Sequence, residues 1–172
     1  MSAAGRGRHF GVLFLLLSFR TLHAEVLEDA PGRYAVDIAR PIKRELKQNE
    51  TDSGIVVICD LFHAEGDILE WITYSDYPKG TMADRDPARI YERWPKGEAA
   101  TRHGKLRNCF THKLGESVGR EFIIDLTSEN KVVRARVYIV GDRTYRVSYT
   151  GPAGSEGSPA ARHFLDSFRL TP

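Results

Sequence analysis

Three apolar alternations in the last third of the chain constrain its fold more than any other feature. Phe122, Ile124 and Leu126 alternate with polar neighbours; so do Val133, Ala135, Val137 and Ile139; so do Tyr145, Val147 and Tyr149. A period of two places each set on one side of a strand. Three such runs, separated by short polar stretches, predict an antiparallel sheet with at least one buried face.

Matching apolar faces then restricts the turns. Pairing the even positions of the first run with the odd positions of the second requires a two-residue turn, Ser128-Glu129 or Glu129-Asn130. Pairing odd with odd across the next connection requires an odd-numbered loop, most simply Gly141-Asp142-Arg143, or a bulge. Either allowed first register sets a carboxylate opposite an arginine, Asp125 with Arg134 or Glu121 with Arg136. The expectation is an exposed cross-strand ion pair. Arg134, Arg136 and Arg146 alternatively suggest a patch for an acidic partner.

Upstream, Arg33–Ile38 reads as a short strand after the Pro31-Gly32 turn, and Ile42–Gln48 as a polar edge strand. Gly54–Cys59 is a β-branched run, and Ile68–Tyr74 completes a hairpin around Glu65-Gly66-Asp67. Asp86-Pro87 opens a helix with an N-cap carboxylate and a proline at its first position. Pro95 is expected to end or kink that helix, with a second helical piece to His103 stopped by Gly104. Lys105–His112 is a weak strand. Ser158-Pro159 starts the last helix, whose buried stripe is Ala161, Phe164, Leu165 and Phe168.

Residues 1–24 have the order of a secretory signal. Arg6 and Arg8 precede a ten-residue apolar run, Phe10–Phe19, and a cleavage point after Ala24 follows. A spanning helix needs about 20 apolar residues, so no membrane span is expected after processing. The alternative is an N-terminal helix or anchor that stays in place. Removing Arg6, Arg8 and Arg20 from the 25 basic residues leaves 22 against 23 acidic ones. A near-neutral mature chain has no bulk attraction for nucleic acid. The predicted organisation is a signal peptide, 1–24, and one domain, 25–172.

Several blocks carry a family resemblance: Tyr74-Ser-Asp-Tyr-Pro78, Gly119-Arg-Glu-Phe122, Val132–Gly141, Arg143–Pro152 and Phe164–Leu170. Together they resemble an exported bacterial domain of the PsbP-like superfamily, over roughly Pro31 to Leu170. The resemblance implies an α+β fold, an α/β/α sandwich around a central, mostly antiparallel sheet. It implies a binding or accessory protein, periplasmic or extracellular, with a protein partner in the cell envelope. Pro95 departs from the long helix usual after the Tyr-Ser-Asp-Tyr-Pro block.

No catalytic motif assembles from the spacing, and no cofactor is implied. Cys59 and Cys109 are an even pair in an exported chain, so a disulfide is permitted, beside the alternative of two small apolar side chains. Cys59-x3-His63 and Cys109-x2-His112 have the ligand number of a zinc site, but a regular strand puts Cys109 and His112 on opposite faces. The Gly151, Gly154, Gly157 series lacks dinucleotide spacing and reads as a plain loop. Trp71, Tyr74, Tyr91 and Trp94 are either core or the lining of a ligand or partner surface. The leading function is a non-enzymatic binding domain; the rival is a small-ligand carrier or enzyme with an aromatic-lined pocket.

Overall fold

The computed structural model describes residues 25–172, so the signal segment and its cleavage point lie outside the described residues. In chain order the elements are β1 (Glu25–Asp29), β2 (Tyr34–Ile38), β3 (Lys43–Thr51), β4 (Gly54–Glu65), β5 (Ile68–Asp76), α1 (Pro87–Thr101), β6 (Lys105–Leu114), β7 (Ser117–Leu126), β8 (Lys131–Val140), β9 (Arg143–Pro152), α2 (Pro159–Ser167) and β10 (Arg169–Leu170). Seven strands form one antiparallel sheet in the order β3-β4-β5-β9-β8-β7-β6. A small antiparallel sheet, β1-β2-β10, lies apart from it.

The large sheet is covered on both faces, which makes the α/β/α sandwich. On one face α1 sets Tyr91 and Ala99 against Phe122, Ile124, Leu126, Val133, Ala135 and Val137. On the other, α2 and the small sheet bury Ala161, Phe164, Leu165, Tyr34, Val36 and Ile38 against Leu61, Ile72, Tyr145 and Val147. Among the described residues no helix is long and apolar enough to cross a membrane.

The β7–β8 register is one of the two that face-matching allows. Phe122 faces Ala135 and Ile124 faces Val133, the parity of a Ser128-Glu129 turn. The connection is wider than two residues, because Thr127–Glu129 closes as a 3-10 turn and Asn130 takes a left-handed φ of 52°.

The β8–β9 expectation fails. Val140 pairs directly with Arg143, so the turn is the two residues Gly141-Asp142, with Gly141 at φ 60°. Face-matching assumed a single buried side, but both sides of these central strands are buried. The odd residues of β8 pack under α1, whereas Tyr145 and Val147 of β9 pack under α2. The three arginines therefore do not form one patch: Arg134 and Arg136 lie on the α2 face, and Arg146 pairs across from Val137 on the α1 face.

Glu121 does face Arg136, but the pair is buried rather than exposed, with Glu121 1% and Arg136 5% accessible. Arg136 Nε donates to Glu121 Oε2 at 2.5 Å, Arg134 Nε donates to Oε1 at 2.7 Å, and Arg136 Nη1 donates to the Leu165 carbonyl at 2.7 Å. Helix α2 roofs this cluster, which is why the pair is shielded from water.

Pro95 does not end α1. The helix runs continuously through it to Thr101. Proline removes one backbone hydrogen bond and costs a helix interior about 3 kcal/mol. Here its ring lies on the buried stripe Tyr91, Pro95, Ala99, so apolar burial against the sheet offsets that loss. Asp86 caps the helix as expected, accepting from the Ala88 N–H at 2.9 Å.

The disulfide permitted by composition is not formed. Cys59 is buried on β4 and Cys109 exposed on β6. Five strand steps separate them in the sheet order. At about 4.8 Å per step that is about 24 Å, against a Cα limit of about 7 Å for a bridge.

Candidate functional site

Helix α1 covers the β6–β7–β8 side of its face and leaves the β3–β4–β5 side open. Strand parity brings Asp60 of β4, Trp71 and Thr73 of β5, and Arg146 of β9 to this open half, since Asp60 pairs with Thr73 and Thr73 with Arg146. Between these strands and the flank of α1 runs a groove of about 610 Å³, lined by Trp71, Thr73, Trp94, Glu98, Arg102 and Arg146 among others. A smaller recess of about 200 Å³ continues past Trp71 to Phe62, Asp60 and Lys47.

The polar groups of this groove are held by one another. Arg146 makes a two-pronged contact with Glu98 of α1, its Nε donating to Oε2 at 2.9 Å and its Nη2 to Oε1. The same guanidinium lies 5.3 Å from the centre of the Trp71 ring. The Trp71 indole N–H donates to Asp60 Oδ1 at 3.0 Å, Thr73 Oγ1 donates to it at 2.7 Å, and Lys47 Nζ reaches Oδ2 at 3.1 Å. Burial, with Arg146 nearby, lowers the Arg102 pKa from its usual value. The groove is thus aromatic, internally hydrogen-bonded and close to charge-balanced.

Two of the four aromatics singled out from sequence, Trp71 and Trp94, share this groove. The other two lie elsewhere. Tyr74 is buried on the opposite face, beside Tyr34 and under the Arg143 guanidinium at 4.7 Å. Tyr91 ties α1 to the sheet: its hydroxyl donates to the Val118 carbonyl and accepts from the Ile139 N–H, both at 2.8 Å. The groove partners Asp60 and Glu98 carry no signal in the sequence because they come from separate elements, and Arg146, which alternation groups with Arg134 and Arg136, joins them here instead.

The cysteine–histidine pairs are dispersed. Cys59 Sγ accepts from Arg44 Nε at 3.3 Å, while His112 meets the Tyr138 hydroxyl at 2.8 Å. Among the described residues no group of three or more His, Cys, Asp or Glu could hold a metal ion.

A second cavity, of about 550 Å³, opens on the α2 face between β2, the β4–β5 hairpin and the start of α2. His63 and Glu70, cross-strand partners, lie at its floor. Reading Gly66-Asp67 as a two-residue turn would have paired them from sequence. Burial raises the Glu70 carboxyl above its ordinary 4.5, against the pull of the Ala39 N–H, His63 and His163. The folded chain therefore holds this proton more tightly than the unfolded one, and Glu70 contributes least at high pH. Relative to Glu70→Gln, which still accepts from Ala39, the wild type should lose unfolding free energy as pH rises above about 4.5. Urea denaturation at several pH values checks this; a stability difference independent of pH overturns it.

Comparison with known proteins finds likeness at the level of structure. No protein-family model matches the chain, and no curated protein matches it in sequence. Among solved structures it is similar to the solution structure of cyanobacterial PsbP (CyanoP) from Synechocystis sp. PCC 6803, at 11% identity and a TM-score of 0.58. The match covers 96% of this chain and 98% of that one. The fold is PsbP-like.

Proposed function

We propose that this chain is an exported, non-enzymatic binding or accessory domain that holds a protein partner of the cell envelope in the groove between α1 and the open half of the sheet. The observation that carries this reading is the make-up of that groove. Trp and Arg are the residue types that dominate binding energy at protein interfaces, and Trp71, Trp94 and Arg146 line one cleft. Most of the charge there is already paired, Arg146 with Glu98 and Lys47 with Asp60, with Arg102 beside them, so the surface suits a protein segment better than a highly charged ligand. The PsbP-like fold and the signal-like order of residues 1–24 support an accessory role outside the cytoplasm.

Site-specific photo-crosslinking in the envelope fraction tests the proposal. A photoreactive phenylalanine at position 94 should yield one discrete adduct, and the same probe at Phe110, on the distant β6 edge, should not. Trp71→Ala should reduce the adduct at position 94 at least tenfold. Equal labelling from both positions, or no adduct from position 94, rejects the groove as the partner surface. The rival reading, a small-ligand carrier at the same aromatics, instead expects a co-purifying ligand released by Trp71→Ala.

A further inference from the structure

The α2-face cavity combines apolar walls with a floor of hydrogen-bond acceptors. Ala39, Ile68, Pro159 and Ala160 supply the walls. At the floor, His63 is 2% and Glu70 7% accessible. His63 Nδ1 lies 3.1 Å from the Pro41 carbonyl, and a carbonyl only accepts, so Nδ1 carries the proton. In the neutral ring Nε2 is then an acceptor. Its nearest carboxylate oxygen, on Glu65, is 3.7 Å away, too far for a hydrogen bond. Glu70 Oε2 accepts from the Ala39 N–H at 2.9 Å, and its other oxygen takes no hydrogen bond from the described residues. Two side chains more than nine-tenths buried thus present acceptors that the protein leaves unused, beside the Glu65 carboxylate.

Acidic side chains outnumber the cavity's two histidines, His63 and His163. Asp37, Glu65 and Glu70 line it, and no lysine or arginine does. His163 stands at the rim, its Nε2 3.2 Å from Asp37 Oδ2. The positive end of α2, which begins at Pro159, opposes this with about half a unit charge. That is small against three carboxylates, and Pro159 itself has no N–H to offer. The opening of the cavity keeps both acceptors accessible, so a ligand that brings donors and positive charge meets them directly.

We propose that this cavity binds a small organic ammonium ion, with its alkyl body against Ile68, Pro159 and Ala160 and its charged head at Glu65, Glu70 and His63. An ammonium group carries three donors and no acceptor, which complements a floor of acceptors. A carboxylate ligand would meet like charge, and an alcohol would bring one donor and no charge. This site lies on the opposite face of the sheet from the groove, so it stands independently of the partner-binding reading.

The test uses the chain 25–172 titrated with n-hexylammonium, 1-hexanol and hexanoate at pH 7.5, followed by backbone amide NMR. Hexylammonium should give saturable shifts confined to Ala39, His63, Ile68 and Ala160, with at least tenfold tighter binding than either isostere. Glu70→Gln and Glu65→Gln should each weaken it at least fivefold, and Trp71→Ala should leave it unchanged. Ala160 is exposed on α2, so Ala160→Phe should fill the cavity and abolish binding without unfolding the chain. Equal binding of hexanol or hexanoate, absence of saturable shifts, or full binding by folded Glu70→Gln or Ala160→Phe overturns the proposal.

Discussion

Replacing Arg136 with methionine should destabilise the fold by about 3 kcal/mol, the lower end of the range for removing one partner of a buried ion pair. The reason lies in what stays behind. Glu121 is 1% accessible and would keep Arg134 and, at 3.9 Å, the His112 Nε2, while the Leu165 carbonyl and Asp166 would lose their donors from Arg136. Asp166 is solvated and loses little; the Glu121 carboxylate and the helix carbonyl are the costly groups. Combining Glu121→Leu with Arg136→Met removes both charges, and the double variant should be more stable than the sum of the single effects by at least 1 kcal/mol. Urea unfolding followed by circular dichroism measures all three. A single-variant loss below 1 kcal/mol would mean that water reaches Glu121 in the folded chain, contrary to its burial.

That cluster also shows how far the residues could be read in advance. The parity of Phe122, Ile124 and Leu126 against Val133, Ala135 and Val137 left only two registers, and one of them is present with its Glu121–Arg136 pair. Burial of the pair was not legible, because the roof over it comes from α2, thirty residues further along. The same blindness to cover explains the β8–β9 turn. A strand read alone tells which of its sides is apolar, not whether its other side also meets a helix. Pro95 is a third instance: local propensity disfavours it within a helix, and packing on the stripe with Tyr91 and Ala99 overrides that preference. The groove was half legible, since Trp71 and Trp94 stand out as aromatics, but Asp60 and Glu98 are ordinary polar residues until the strands are aligned, and Arg146 stands out only beside two arginines that lie on the other face. The β1 and β10 strands are too short and too polar to announce themselves. They exist because β2 offers them edges to pair with.

Truncating Phe164 to alanine should have a comparable or larger effect, about 3–5 kcal/mol, because it opens a cavity where the side chain is 1% accessible. For a chain of this size that lowers the melting temperature by about 10 °C. The loss acts on one layer. Phe164 shares its core with Ala161, Leu165, Phe168 and the tyrosines Tyr138 and Tyr145, where Phe168 stacks on Tyr138 at 6.2 Å between ring centres. The α1 layer draws on a separate set, Phe122, Ile124, Val133 and their neighbours. The α2-face cavity takes Pro159, Ala160 and His163 from the helix that Phe164 anchors, whereas the groove takes its lining from α1 and the sheet. Phe164→Ala, studied below its melting temperature, should therefore weaken hexylammonium binding while leaving the crosslink from position 94 intact. Loss of both together would mean that the two faces of the sheet are coupled, and that the groove depends on α2 despite sharing no lining residue with it.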